Sequence, residues 1–139
     1  MTNPDTKEST NDMTTIYVAA DGDNVGSRLE YLVITNNIEA LKEFSTKFNA
    51  AMEWFENELE VCFSASMVFF GGDNLLASIT SNKFARESLE RLRFEFSKRA
   101  QSTLSIGIGD TPQQAYLALK LAKTNGKNVI REFRELSNG

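Results

Sequence analysis

The stretch Phe69-Phe70-Gly71-Gly72-Asp73-Asn74-Leu75-Leu76 decides the fold. Apolar runs lie on both sides of it, Val61 to Phe70 upstream and Leu75 to Ile79 downstream. In the first run Phe63, Ala65, Met67 and Phe69 alternate with Cys62, Ser64 and Ser66, which is the period of a strand. The glycine pair breaks that strand, and Asp-Asn completes the turn chemistry, so the two runs predict a tight antiparallel hairpin. Asp73 then stands at a rigid apex rather than in a loose loop.

Working outward, Thr15 to Asp21 alternates with Ile16, Val18 and Ala20 on one face and predicts a first strand. After the turn at Asp21-Gly22-Asp23-Asn24, Val25 to Leu32 opens a short helix. Ile38, Leu41, Phe44, Phe48, Met52, Phe55 and Leu59 recur at three and four residues and predict a long amphipathic helix. Beyond the hairpin, Ala85, Leu89, Leu92 and Phe96 mark another helix. Thr103 to Gly109 reads as a strand with Leu104, Ile106 and Ile108 inward, and its other face carries Thr103, Ser105, Gly107 and Gly109, which have little bulk. Thr111-Pro112 with Gln114 is a capping-box start to a helix that buries Ala115, Ala118 and Ala122 and ends at Gly126. Val129 to Phe133 predicts a short final strand. The order suits an α+β fold, a ferredoxin-like palm with a mainly antiparallel sheet and its helices on one face. In that topology Asp21 ends the first strand, Asp73 tops the hairpin, and the two carboxylates converge where those strands are neighbours.

The 139 residues suffice for one core, and the reading is a polar, disordered lead-in over 1–12 and a single domain over 13–139. A net charge of −4 argues against a duplex nucleic acid partner, which requires a basic stripe, but leaves room for a small anionic ligand. The chain has no histidine and a single cysteine, Cys62, expected as a buried structural thiol. Imidazole bases, structural zinc and an intramolecular disulfide are thereby excluded, and a metal, if used, is a hard ion on oxygen ligands. No apolar run reaches membrane-span length and no signal-peptide core stands at the N-terminus, so the expectation is a cytoplasmic protein without a membrane partner.

Three motifs carry chemistry. In Asp21-Gly22-Asp23-Asn24-Val25-Gly26 a carboxylate at a strand end offers a metal ligand, and the amides of Asn24, Val25 and Gly26 at a helix start offer donors to phosphate. A calcium loop fails here, because Val25 and Leu32 occupy its fifth and twelfth positions. The Asp-x-Asp-x-Val pattern also resembles the nucleophile motif of haloacid-dehalogenase-type phosphatases, which a hairpin in one short domain fits poorly. A plain Asp-Gly turn is the structural reading. Gly71-Gly72-Asp73-Asn74 is the second motif, equally consistent with an ordinary hairpin turn. The third is Lys123-Thr124-Asn125-Gly126-Lys127-Asn128. Its lysines, at i and i+4, either offset the helix macrodipole or clamp a triphosphate.

Together, DGDN after the first strand, GGDN on the hairpin, LSIGIG on the next strand and AK..GKN at the last helix resemble the palm domains of nucleotidyl cyclases. That superfamily includes GGDEF diguanylate cyclases and the polymerase-cyclase subunit of type III CRISPR complexes. The chain is most similar to the minimal CRISPR polymerases, over roughly Thr14 to Phe133. The resemblance implies a bacterial anti-phage enzyme that condenses ATP into a cyclic oligonucleotide, a cyclic di-adenylate, sensed by a companion effector. It implies Mg²⁺ or Mn²⁺ as cofactor, Asp21 and Asp73 as catalytic carboxylates, and the Gly22 carbonyl as a further ligand with Asp23 able to assist. Gly72, Lys123 and Lys127 fall on nucleotide-binding positions. Asn74 replaces an acid that many relatives carry, which bears on a second metal. Two palms face each other when one nucleotide supplies the nucleophile for the next, so a homodimer is expected. The alternative is a sensor that binds a nucleotide or cyclic dinucleotide without turnover.

Overall fold

The computed structural model describes residues 14–138; the lead-in expected over 1–12 lies outside them. Strand β1 (Thr15–Gly22) leads into helix α1 (Val25–Ile34) and the long helix α2 (Ile38–Phe63). The hairpin β2 (Ser66–Phe70) and β3 (Asn74–Thr80) follows, then a single 3₁₀ turn and helix α3 (Arg86–Ala100). Strand β4 (Leu104–Gly109), helix α4 (Pro112–Thr124), strand β5 (Ile130–Glu132) and a short helix α5 (Phe133–Asn138) close the chain. The five strands run in the order β2-β3-β1-β4-β5. All neighbours are antiparallel except β4 and β5. The α+β class and the mainly antiparallel palm read from the sequence are borne out.

Alternation on β1 sorts the two faces. Val18 and Ala20 join Leu75, Ala77, Ile106 and Ile108 in the main core beneath α1, α2 and α3. Within it Phe44, Phe48, Phe96 and Phe55 form a chain of ring contacts with centroids 5.8, 5.9 and 6.1 Å apart, edge-on where α2 meets α3. Ala19 faces the other way and packs with Ala115 and Leu119 of α4. The expectation that every helix lies on one face is therefore corrected for α4. The cause is the low bulk of β4's second face. A Cβ on Gly107 would lie 2.2 Å from the Ala115 carbonyl oxygen and 2.2 Å from the Leu119 nitrogen, so the helix backbone rests directly on the strand.

Two further expectations change at the end of α2. Val61 to Phe63 is helical, not part of the hairpin strand. Phe63 lies one turn beyond Leu59 on the buried side, and the helix stops only at Ser64, which is left-handed (φ 53°) with its N–H donating to the Glu60 carbonyl. A short apolar run fits either period, and the helical contact wins. Cys62 consequently points outward and is exposed, its Sγ 3.7 Å from Glu58 Oε1, rather than being a buried thiol. Strand β2 is correspondingly short, with Val68, Phe69 and Phe70 exposed at the sheet edge.

Candidate functional site

The site lies at the end of the sheet where β1 leaves it. Asp21 pairs in register with Asn74 on one side and Ser105 on the other. The N–H of Gly22 donates to the Asp73 carbonyl at 2.9 Å, locking the hairpin apex against the first strand. Asp21 and Asp73 thus stand on neighbouring strands at one end, close enough for Asp73 to act electrostatically on Asp21. Burial pushes the Asp21 carboxyl above its ordinary value; Lys123 opposes that shift, and the charges of Asp73 and Asp23 reinforce it. Gly22 has a steric reason to be glycine, since a Cβ there would meet the Phe48 ring at 2.7 Å and Val25 at 2.8 Å.

Asp23 is buried. Its Oδ1 accepts from Ser105 Oγ at 2.7 Å and Lys123 Nζ at 2.8 Å; its Oδ2 accepts from Thr103 Oγ1 at 2.6 Å and the Asn128 N–H at 3.0 Å. Burial opposes its charge, but the Lys123, Ser105 and Thr103 bonds outweigh it and hold the carboxyl below the usual aspartate range. Asn128 reaches Asp23 because Gly126, Lys127 and Asn128 all take positive φ (99°, 64° and 51°), curling the chain after α4 back toward the sheet. These partners account for both oxygens of Asp23.

Lys123 bridges the carboxylates, with Nζ 3.2 Å from Asp21 Oδ2 and 2.9 Å from the Gly22 carbonyl oxygen. Lys127 donates to the Asn24 side-chain oxygen, so both lysines face the start of α1. Asn24 is left-handed (φ 59°) and its carbonyl accepts the first helical bond, from the Arg28 N–H. Ahead of that bond, the amides of Val25 and Gly26 are the first-turn donors a helix cannot pair internally. Gly72 is exposed beside Asp73, with no atom near its Cβ direction. The structure therefore brings Asp21, Gly22, Asp73, Asn24, Val25, Gly26, Gly72, Lys123 and Lys127 to one end of the sheet, and turns Asp23 inward.

Sequence reasoning passed over the hydroxyls of Thr103 and Ser105, noted only for their lack of bulk. Their signal was present: polar residues alternating with Leu104 and Ile106 one strand away from Asp21. It also left undefined a cleft of about 220 Å³ between α1, α2 and the hairpin, lined by Val25, Leu29, Phe44, Ser45, Phe48, Asn49, Gly72 and Asp73.

A divalent ion fits this donor set. Among the described residues no group of three or more acidic or thiol side chains is placed to hold a metal ion by itself; the available ligands are two carboxylates and the Gly22 carbonyl. Mg²⁺ sites of that kind are completed by water and substrate phosphate. The Lys123 ammonium, seated on Asp21 and Gly22, marks the position as one that attracts a cation.

The fold is that of a nucleotide-cyclase-like palm domain. The chain belongs to the minimal CRISPR polymerase (mCpol) family, whose domain model matches residues 17–133. No curated protein matches it significantly. Among solved structures it is similar to the GGDEF domain of DgcB from Caulobacter crescentus in complex with c-di-GMP. There the TM-score is 0.61 at 17% identity, covering 93% of this chain and 84% of that one. The active GGEEF domain of a Vibrio cholerae diguanylate cyclase gives 0.62 at 15% identity, covering 93% and 88%. The Csm1-Csm4 cassette in complex with pppApA gives 0.59 at 17%, covering 84% of this chain and 20% of that one. At these identities the likeness speaks for the fold.

Proposed function

We propose that this chain is a metal-dependent nucleotidyltransferase that condenses ATP into a cyclic oligonucleotide, a cyclic di-adenylate, as a signal in anti-phage defence. Family membership supports the reaction class. The observation that carries the reading is the meeting of Asp21 and Asp73 beside Lys123, Lys127 and the open first turn of α1. Asp21, Asp73 and the Gly22 carbonyl would hold Mg²⁺ or Mn²⁺. Bound there, the ion would draw charge from the phosphates and ease deprotonation of the attacking ribose hydroxyl. The Val25 and Gly26 amides receive phosphate oxygens without reorganising, because they are fixed by the helix. Lys123 and Lys127 neutralise the triphosphate and the pyrophosphate that leaves. Asp23 acts through Lys123 as its positioning residue. The apolar walls of the α1–α2 cleft, with Ser45 and Asn49 one turn apart on its rim, suit a nucleobase whose edge needs polar partners. The nucleophile comes from a second nucleotide, so two copies of the chain work face to face, and a cyclic-nucleotide-sensing effector reads the product.

The test is incubation of the purified protein with Mg²⁺ or Mn²⁺ and each nucleoside triphosphate, with products identified by mass spectrometry. A cyclic adenylate from the wild type, absent with Asp21→Ala and Asp73→Ala, is expected. Nucleotide binding without pyrophosphate release would instead identify a sensor.

A further inference from the structure

The Lys123 ammonium lies among the oxygens that the proposed metal requires. Its Nζ is 3.2 Å from Asp21 Oδ2, 2.9 Å from the Gly22 carbonyl and 3.5 Å from the Asp21 carbonyl, with Asp23 Oδ1 at 2.8 Å holding it from behind. Two of the three residues assigned to the ion are therefore already satisfied by a cation of the protein's own. An ammonium and a divalent ion cannot share these oxygens, because like charges a few ångströms apart repel strongly in a half-buried site. One of them has to leave, and Lys123 is able to. Its side chain is 22% exposed and carries its charge on a flexible stem. Asp23, which it would leave behind, keeps its bonds from Ser105, Thr103 and the Asn128 N–H.

We propose that Lys123 is a displaceable internal cation. It neutralises the acidic end of β1 while the site is empty and yields those oxygens to the metal only when a triphosphate offers it a new anionic partner. Metal alone is then held weakly, and metal and nucleotide enter as a coupled pair. The inference rests on the reading of Asp21 and Gly22 as metal ligands.

Mn²⁺ titrations followed by electron paramagnetic resonance test it on wild type, Lys123→Met and Lys127→Met, without nucleotide and with a non-hydrolysable ATP analogue. Without nucleotide, Lys123→Met should bind Mn²⁺ at least about tenfold more tightly than wild type. Lys127→Met removes an equal charge nearby but frees none of those oxygens, so its gain should be distinctly smaller. Equal gains in the two variants, or none in Lys123→Met, overturn the proposal. Lysine-selective Nζ NMR on the wild type covers the case in which Lys123→Met is poorly folded. The Lys123 signal should stay in place with millimolar Mg²⁺ alone and shift when the analogue is added. Tight Mg²⁺ binding with an unmoved Lys123 signal overturns it as well. Absence of Mn²⁺ binding under every condition, analogue included, removes the metal-site reading and the proposal together, which distinguishes that failure from the others.

Discussion

At Asp23 a buried carboxylate is kept charged by donors from three separate segments: Thr103 just before β4 with Ser105 on it, Lys123 on α4, and the Asn128 N–H in the turn beyond. Removing it leaves Lys123 and two hydroxyls facing a void. Asp23→Ala should lower the unfolding free energy by about 3 kcal/mol, measured by urea denaturation. The sign of its pH dependence follows from the direction of the shift. The folded carboxyl holds its proton less readily than the unfolded one, so the unfolded state protonates first as acid is added. Its stabilisation is complete above the ordinary aspartate value of about 4 and disappears as pH falls through the lower folded value. Stability of the wild type should therefore fall more steeply below about pH 4 than that of Asp23→Ala. The family resemblance offered Asp23 as an assisting metal ligand. Its actual surroundings depend on residues 80 to 105 positions away, which no local pattern contains.

Among the elements, α4 does the most to build the site, because it carries Lys123 over the end of β1 and leads into the turn that holds Lys127. Its height above the sheet is set by Gly107, whose missing side chain lets Ala115 and Leu119 settle onto the strand. Gly107→Ala forces backbone apart from backbone and should cost about 3 kcal/mol in thermal or urea unfolding. It should also weaken nucleotide binding, by lifting the lysines from the strand end. The glycines of LSIGIG and the Thr111-Pro112 helix start were readable from the sequence, and Thr111 does cap the helix by accepting from the Gln114 N–H at 3.1 Å. The side of the sheet that α4 would occupy was not readable. Three-residue spacing fixes which face of a helix is buried, while only the empty face of β4 tells where it is buried.

For the molecule as a whole, the core beneath α1, α2 and α3 contains no group that depends on a metal. Chelation should therefore abolish cyclic product while shifting the melting temperature by less than about 2 °C, checked by activity and calorimetry on one sample. Sedimentation velocity should show a dimer once Mg²⁺ and a non-hydrolysable ATP analogue are present; a monomer there would count against paired palms. The palm architecture was legible from the hairpin, the strand periods and the helix stripes, because each is a local pattern. The cleft between α1 and α2 was not, since it is bounded by side chains brought together only by tertiary packing.

The strand order also bears on how the chain is made. β1 is the first strand described to leave the ribosome, yet it is the middle of the sheet, with β3 on one side and β4 on the other. It has no partner until Asn74–Thr80 has emerged, and its second edge stays open until Leu104–Gly109 follows. The site keeps the same order: Asp21 is translated before Asp73, and Asp73 before Lys123 and Lys127. A nascent chain that stops before Lys123 lacks the cation that pairs with Asp21 and Asp23. Everything from Asp21 to Lys127 must be translated before the acidic end of β1 meets its lysines.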